Sequence, residues 1–194
     1  MTSCPDVAAS ARWPDVPACY DWLSLDRRGT WRLRGEAVEH AGLAGFLNAN
    51  YGCDESGNWL VRNGPQRVYV SLDYTPWVLR LHPDGSLTTH AGTEVAAVAA
   101  ACLDEEGSVV LDTDLGAGLL DDRDLAAFLA ECRLADGRVA DDEALLAVMT
   151  GGSGEGGQVT CQVRCQVRWR NLPLQAVERA AVPARFGFRA RPAP

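Results

Sequence analysis

Two stretches of this chain follow the same order of turn, strand, helix and turn, and that recurrence limits the folds open to it more than any other feature. Gly29 to Gly57 reads GTWRLRGEAVEHAGLAGFLNANYGCDESG. It opens on a turn glycine, runs a short alternating strand, changes to helical spacing and closes on an Asp/Gly turn. Gly107 to Gly137, GSVVLDTDLGAGLLDDRDLAAFLAECRLADG, keeps that order. Leu43-Ala44-Gly45-Phe46-Leu47 aligns with Leu125-Ala126-Ala127-Phe128-Leu129, and Asp54-Glu55-Ser56-Gly57 resembles Asp104-Glu105-Glu106-Gly107. So short a match also arises by chance in an Ala- and Leu-rich chain; the retained order of elements carries the weight. The expected class is α+β: two antiparallel strand–helix subdomains arising from an internal duplication, plus a C-terminal added strand.

Around these stretches the chain divides into an irregular lead-in over 1–19, a first strand–helix subdomain over 20–76 and a second over 77–150. A Gly-rich linker at 151–157 and a basic strand segment at 158–194 follow. Hairpins are expected for 20–25 with 30–34, 58–62 with 66–72, and 77–81 with 86–90, each turning on glycine. Residues 36–51 have helical spacing, with Leu43, Phe46, Leu47 and Asn50 on one stripe and Gly52 as the stop. A short buried helix capped by Thr93 is expected over 94–102, because its Val and Ala residues leave it apolar all round. In the second stretch a strand at 108–112 leads into a loop at Gly116 and Gly118. A helix at 122–132 follows, with Leu125, Phe128, Leu129 and Cys132 inward. Asp141 caps a last helix. From Val159 to Arg170 apolar and polar residues alternate, which predicts a strand whose Val163, Val167 and Trp169 pack on the body, as an added edge.

Composition excludes several function classes. Lysine is absent and all 18 basic residues are arginine, so no lysine forms a Schiff base or serves a P-loop. Net charge is −8, which disfavours nucleic acid as a partner. That charge is uneven: residues 101–157 hold 3 Arg against 14 acids, and residues 158–194 hold 7 Arg against one acid. Seven cysteines without a C-x-x-C read as small buried hydrophobes. No apolar run is long enough to cross a membrane and the first residues lack a signal-peptide pattern, so a cytoplasmic location is expected.

No motif frames a catalytic residue. No serine sits in G-x-S-x-G, the three histidines lack ligand spacing, and Cys161 and Cys165 lie about 13 Å apart along one strand face, too far to share a metal. The acids Asp112, Asp114, Asp121, Asp122 and Asp124 cluster without EF-hand spacing and suit a strand end and helix start. What stands out is cationic: Arg32, Arg34 and Arg67 project from the wet faces of two strands, with Tyr69 beside Arg67. Sharing a sheet, they would grip a carboxylate or phosphate; otherwise they are a solvated face. His90, at a strand end near Trp77, completes the candidate ligand-binding set.

Several of these motifs also resemble a family of small uncharacterised bacterial proteins. They are Gly29-Thr30-Trp31, Leu43 to Leu47, Gly57 with Leu60-Val61, Asp73-Tyr74-Thr75-Pro76-Trp77-Val78, and Thr88-Thr89-His90-Ala91-Gly92-Thr93-Glu94-Val95, over roughly residues 20–140. This chain has Trp77 where that family has Phe, His90 for Asn and Thr93 for Asp. The resemblance implies an α+β fold of repeated strand–helix motifs in two subdomains, with a suggested role in ligand sensing or signal transduction. The expected function is a non-enzymatic ligand-sensing or protein-interaction module in signalling; the alternative is a small hydrolase-type enzyme with a non-motif active site. No metal or cofactor is called for. A small anionic ligand or a protein partner is expected, with no nucleic acid or membrane, and a monomer or a homodimer through a strand edge.

Overall fold

The structure, a computed structural model, describes residues 16–150 and 167–194. The expected strand at 159–166, with Val163, lies outside the described residues, as does the linker. The chain forms two compact units, one of residues 1–76 with 187–194 and one of residues 77–186.

The first unit is a six-stranded sheet: β1 (Ala18–Leu25), β2 (Trp31–Leu33), β3 (Glu36–Ala37), β4 (Tyr51–Cys53), β5 (Trp59–Asn63) and β6 (Gln66–Leu72), in the order β3-β2-β1-β6-β5-β4. Only the β1–β6 pair in it is parallel. Helix α1 (Ala41–Ala49) follows the first three strands. His40 caps it, its Nδ1 accepting from Leu43 N, so the imidazole replaces the usual Ser or Asp. Leu43 and Leu47 are buried; the helix is shorter than its periodicity over 36–51 suggested because Glu36 and Ala37 pair with β2 and Tyr51 to Cys53 pair with β5. Gly52 is therefore a strand residue and not the helix stop. Trp31, Tyr51 and Trp59 form an aromatic cluster, with Trp31 against Tyr51 edge-on at 5.0 Å and Trp31 Nε1 donating to Asn48 Oδ1.

In the second unit β7 (Trp77–Leu81), β8 (Leu87–Thr89), β9 (Val98–Asp104), β10 (Val109–Thr113), β11 (Gly116–Leu120), β12 (Cys132–Arg133), β13 (Arg168–Trp169) and β14 (Leu172–Val177) form one sheet. Its order is β12-β13-β14-β9-β10-β11-β7-β8, with β14 parallel to β9 and β11 parallel to β7. Helices α2 (Leu125–Glu131), α3 (Asp142–Met149) and α4 (Val182–Arg185) complete it. Asp141 Oδ1 accepts from Ala144 N, the cap expected for α3. Phe128 and Cys132 are fully buried, while Leu125 and Leu129 are half-buried.

Three expectations fail here, each for one reason. Residues 98–104 are a strand and not a helix, because β9 pairs with both β10 and β14 and those two ladders override the helix preference of alanine. Gly116 and Gly118 lie in β11 and not in a loop. Gly118 is required by packing: a Cβ there would lie 2.6 Å from Leu79 Cγ and Cδ1. The tail is not an edge, since β14 is inserted between β13 and β9. Val167 and Trp169 are buried as expected, both 1% exposed.

The α+β class is plain, and the strand order recurs. In the first unit a meander β1-β2-β3, a helix and a meander β4-β5-β6 end with β6 parallel to β1. In the second, β9-β10-β11, α2 and β12-β13-β14 end with β14 parallel to β9, and the β7–β8 hairpin is added beside β11. This is a recurrence of strand order and direction; duplication of sequence is a further step that it does not establish.

The turns are legible residue by residue. Asp26, Asp54 and Asp104 each accept on Oδ1 from the backbone N–H two and four residues on. Three residues after each aspartate stands a glycine with φ of +76°, +79° and +82°. At Gly57 close approach adds to this, because a Cβ would lie 2.5 Å from Gly187 O.

Candidate functional site: a cleft at the β13–β14 turn

In the second unit a cleft of about 340 Å³ opens between three backbone segments: the β7–β8 turn, residues 94–98 leading into β9, and the β13–β14 turn. The two turns belong to strands near opposite ends of the eight-stranded sheet, and Arg170 joins them. Its Nη2 donates to Gly85 O at 2.7 Å and its Nε to Glu131 Oε2 at 3.1 Å, while its guanidinium lies 4.3 Å over the Trp169 ring. Gly85 has φ +84°, and a Cβ there would come within 3.1 Å of Arg170 Nη2. Arg170 itself has φ +53°, a left-handed conformation that costs a non-glycine residue about 1 kcal/mol or more. The same conformation recurs at Arg34 in the two-residue β2–β3 turn, φ +51°, so it is what a two-residue hairpin loop requires of the chain.

Trp169 is 1% exposed, stacks on Phe128 with centroids 4.8 Å apart, and lines the cleft. Its indole Nε1–H is buried with no hydrogen-bond partner in the structure. An unpaired buried donor costs about 1–3 kcal/mol, so among the described residues this N–H is a cost to the core. Across from the turn, residues 94–98 are held in place: Val95 N donates to Leu87 O, and Ala96 N and Ala97 N both donate to Asp114 Oδ1. Glu94 is exposed on this wall. Leu87, Val95, Val98 and Leu172 supply the apolar lining. The cleft thus offers a cation, a carboxylate and apolar walls, and among the described residues no His or Cys lines it.

None of the six residues expected from sequence lines this cleft. Arg32 and Arg67 do share a sheet, but Arg32 pairs with Ser24, and Ser24 with Ser71, four residues along β6 from Arg67. That offset is about 13 Å along the strand. Arg32 is bonded to Asp26 at 3.0 Å and to Gly35 O. Arg34 lies past the end of β2 with its guanidinium 4.0 Å over the Trp22 ring, and Arg67 is exposed. Tyr69 is buried and stacked on Tyr20 at 4.4 Å, so that face of β6 is not uniformly wet. Trp77 and His90 lie in the second unit with ring centroids 5.4 Å apart; Trp77 Nε1 donates to Leu115 O, and His90 Nδ1 accepts from Val78 N. The signal missed in the sequence is the tail's Trp169-Arg170-Asn171-Leu172, a tight hairpin with arginine at its tip.

The acidic cluster is consumed by structure. Asp121 is fully buried and bonded to Arg123, whose guanidinium holds its carboxyl down at about 2. Asp124 accepts from Arg80 and from Leu81 N; the Arg80 guanidinium lowers its carboxyl below the usual range. Among the described residues no group of three or more His, Cys, Asp or Glu could hold a metal. The described cysteines Cys19, Cys102 and Cys132 are buried, Cys53 is exposed, and all four are free. Burial pushes the Cys132 thiol up to about 11. Among the described residues no helix is long and apolar enough to cross a membrane. A second hollow of about 350 Å³, between α2 and α3, is lined by leucines and Met149 with Asp142 at its edge.

The chain belongs to the DUF2944 family, described as "Protein of unknown function (DUF2946)", which matches residues 6–193. No curated protein matches it. Among solved structures it is similar to a DUF1285 family protein from Silicibacter pomeroyi DSS-3, with 17% identity and a TM-score of 0.48, over 62% of this chain and 73% of the other. It is also similar to a DUF1285 family protein from Shewanella baltica OS155, with 19% identity and a TM-score of 0.43, over 55% of this chain and 89% of the other.

Proposed function

We propose that this chain is a non-enzymatic ligand-sensing module and that its ligand sits in the cleft at the β13–β14 turn. The observation that carries the reading is a concave site with Arg170 and Glu94 on different backbone segments of its lining and Trp169 packed beneath the Arg170 guanidinium. The volume of about 340 Å³ is at the lower end of the ~300–1,000 Å³ of small-molecule sites, which suits a small metabolite. The lining lacks a nucleophile paired with a base: Ser86 is its one hydroxyl residue, and that hydroxyl donates to Asp84 with no histidine joining them. Sensing follows from where the cleft lies. A ligand touching both turns adds to the Arg170–Gly85 bond between them, and so favours the arrangement in which the turns meet.

A thermal-shift screen against amino acids, organic acids, sugars and nucleotides tests this, with Ala97→Trp as the control. Ala97 is exposed on the cleft wall, so tryptophan there fills the cleft without entering the core. Binding that raises the wild-type melting temperature and is lost in Ala97→Trp is expected. Binding that survives Ala97→Trp, no binding by any compound, or turnover of a generic ester or phosphate substrate would overturn the reading.

A further inference from the structure

Resting on that reading, we infer that the ligand of the cleft is a small zwitterion of amino-acid type, its carboxylate held at Arg170 and its ammonium at Glu94. The two charges come from different walls. Arg170 stands at the β13–β14 turn and Glu94 at the start of the segment leading into β9. Arg170 spends Nε on Glu131 and one Nη2 bond on Gly85 O, which leaves guanidinium N–H groups for a carboxylate. Its position is set by two protein acceptors and the Trp169 face, so little side-chain freedom is lost on binding. Glu94 is fixed through its backbone, by the bridge to Thr88 and the donation of Thr89 N to Thr93 O, and its carboxylate makes no ion pair among the described residues.

Arg170 is already ion-paired with Glu131, so a ligand carboxylate at its remaining N–H groups gains most when it brings a positive group for Glu94 as well. A simple monoanion would meet Glu94, and a simple amine would meet Arg170; each like-charge approach disfavours binding. A molecule carrying both signs, of which an α-amino acid is the smallest common kind, meets neither penalty. Leu87, Val95 and Leu172 leave an apolar lining for its side chain.

The experiment is calorimetric titration of the full chain with free L-amino acids bearing apolar side chains, their N-acetyl derivatives, and the corresponding amines lacking the carboxylate. Free amino acids are expected to bind, and both modified series to bind about tenfold or more weakly, as loss of one charge-assisted contact implies. Glu94→Gln is expected to erase the preference for the free ammonium while leaving the melting temperature of the unliganded chain unchanged, since Glu94 is exposed. If N-acetyl derivatives bind as well as free amino acids, or Glu94→Gln changes nothing, the zwitterion assignment falls while the cleft reading stands. If none of the three series binds but another compound binds in a manner lost on Ala97→Trp, the assignment also falls alone. If no compound binds at the cleft, both fall.

Discussion

Replacing Gly118 by alanine sets two effects of opposite sign against each other, and the packing around β11 decides between them. Gly118 is buried and its φ is outside the left-handed region, so the backbone accepts alanine without strain. On that ground alone Gly118→Ala would stabilise by about 0.4–1 kcal/mol, by narrowing the unfolded ensemble. Opposing it, the new Cβ would lie 2.6 Å from both Cγ and Cδ1 of Leu79 and 3.0 Å from Cδ2. Leu79 has no exposed surface, and β11 is hydrogen-bonded on both sides, to β10 and β7. Neither the side chain nor the strand has room to yield, and overpacking of this kind costs about 1–3 kcal/mol. The clash wins by about 1–2 kcal/mol, which lowers the melting temperature roughly 2–8 °C for a chain of this size. Circular dichroism melts of Gly118→Ala, Leu79→Ala and the double variant form the test. Leu79→Ala alone should cost about 2–5 kcal/mol, and in its presence, with the clashing atoms gone, Gly118→Ala should regain about 0.4–1 kcal/mol. A Gly118→Ala protein that melts at or above wild type, or whose cost adds in full to that of Leu79→Ala, would refute the argument.

Acid should expose the Asp121–Arg123 pair. The Asp121 carboxyl is depressed to about 2, so its contribution of roughly 1–2 kcal/mol is complete above the unfolded value near pH 4 and is lost as pH falls from about 4 to about 2. Denaturant melts of wild type and Asp121→Asn should therefore differ at pH 6 and converge near pH 2; a gap independent of pH would remove the electrostatic account. Deleting residues 151–194 strips β14 from β9 together with Trp169, Leu174, Val177 and Val182, all buried. At about 1.5–3 kcal/mol each these anchors approach the whole stability of a domain, about 5–15 kcal/mol. The truncated chain should show no cooperative melt, and an unchanged melting temperature would show that the tail is not part of the core.

What the amino-acid sequence determined by itself is the local chemistry. Asp26, Asp54 and Asp104, each three residues before a glycine, announce tight turns because the carboxylate and the left-handed glycine act within five residues. Period-two alternation announced β2 and the burial of Val167 and Trp169, since one wet and one dry face is a property of the strand itself, whereas β6, read the same way, is buried on both faces from Val68 to Leu72. Asp141 read correctly as a cap for the same reason of short range. Tertiary structure alone decided the rest. Residues 98–104 are helix-compatible by composition, and only pairing with β10 and β14, from segments far away in sequence, makes them a strand. Gly118 reads as a loop residue until Leu79 is placed against it. Arg32, Arg34 and Arg67 alternate as a patch should, yet register along β1 and β6 separates them, and register is a long-range quantity. The cleft depends on Gly85 meeting Arg170, 85 residues on, and a contact at that separation leaves no periodic trace in either segment because it is made by two turns and not by a repeating face.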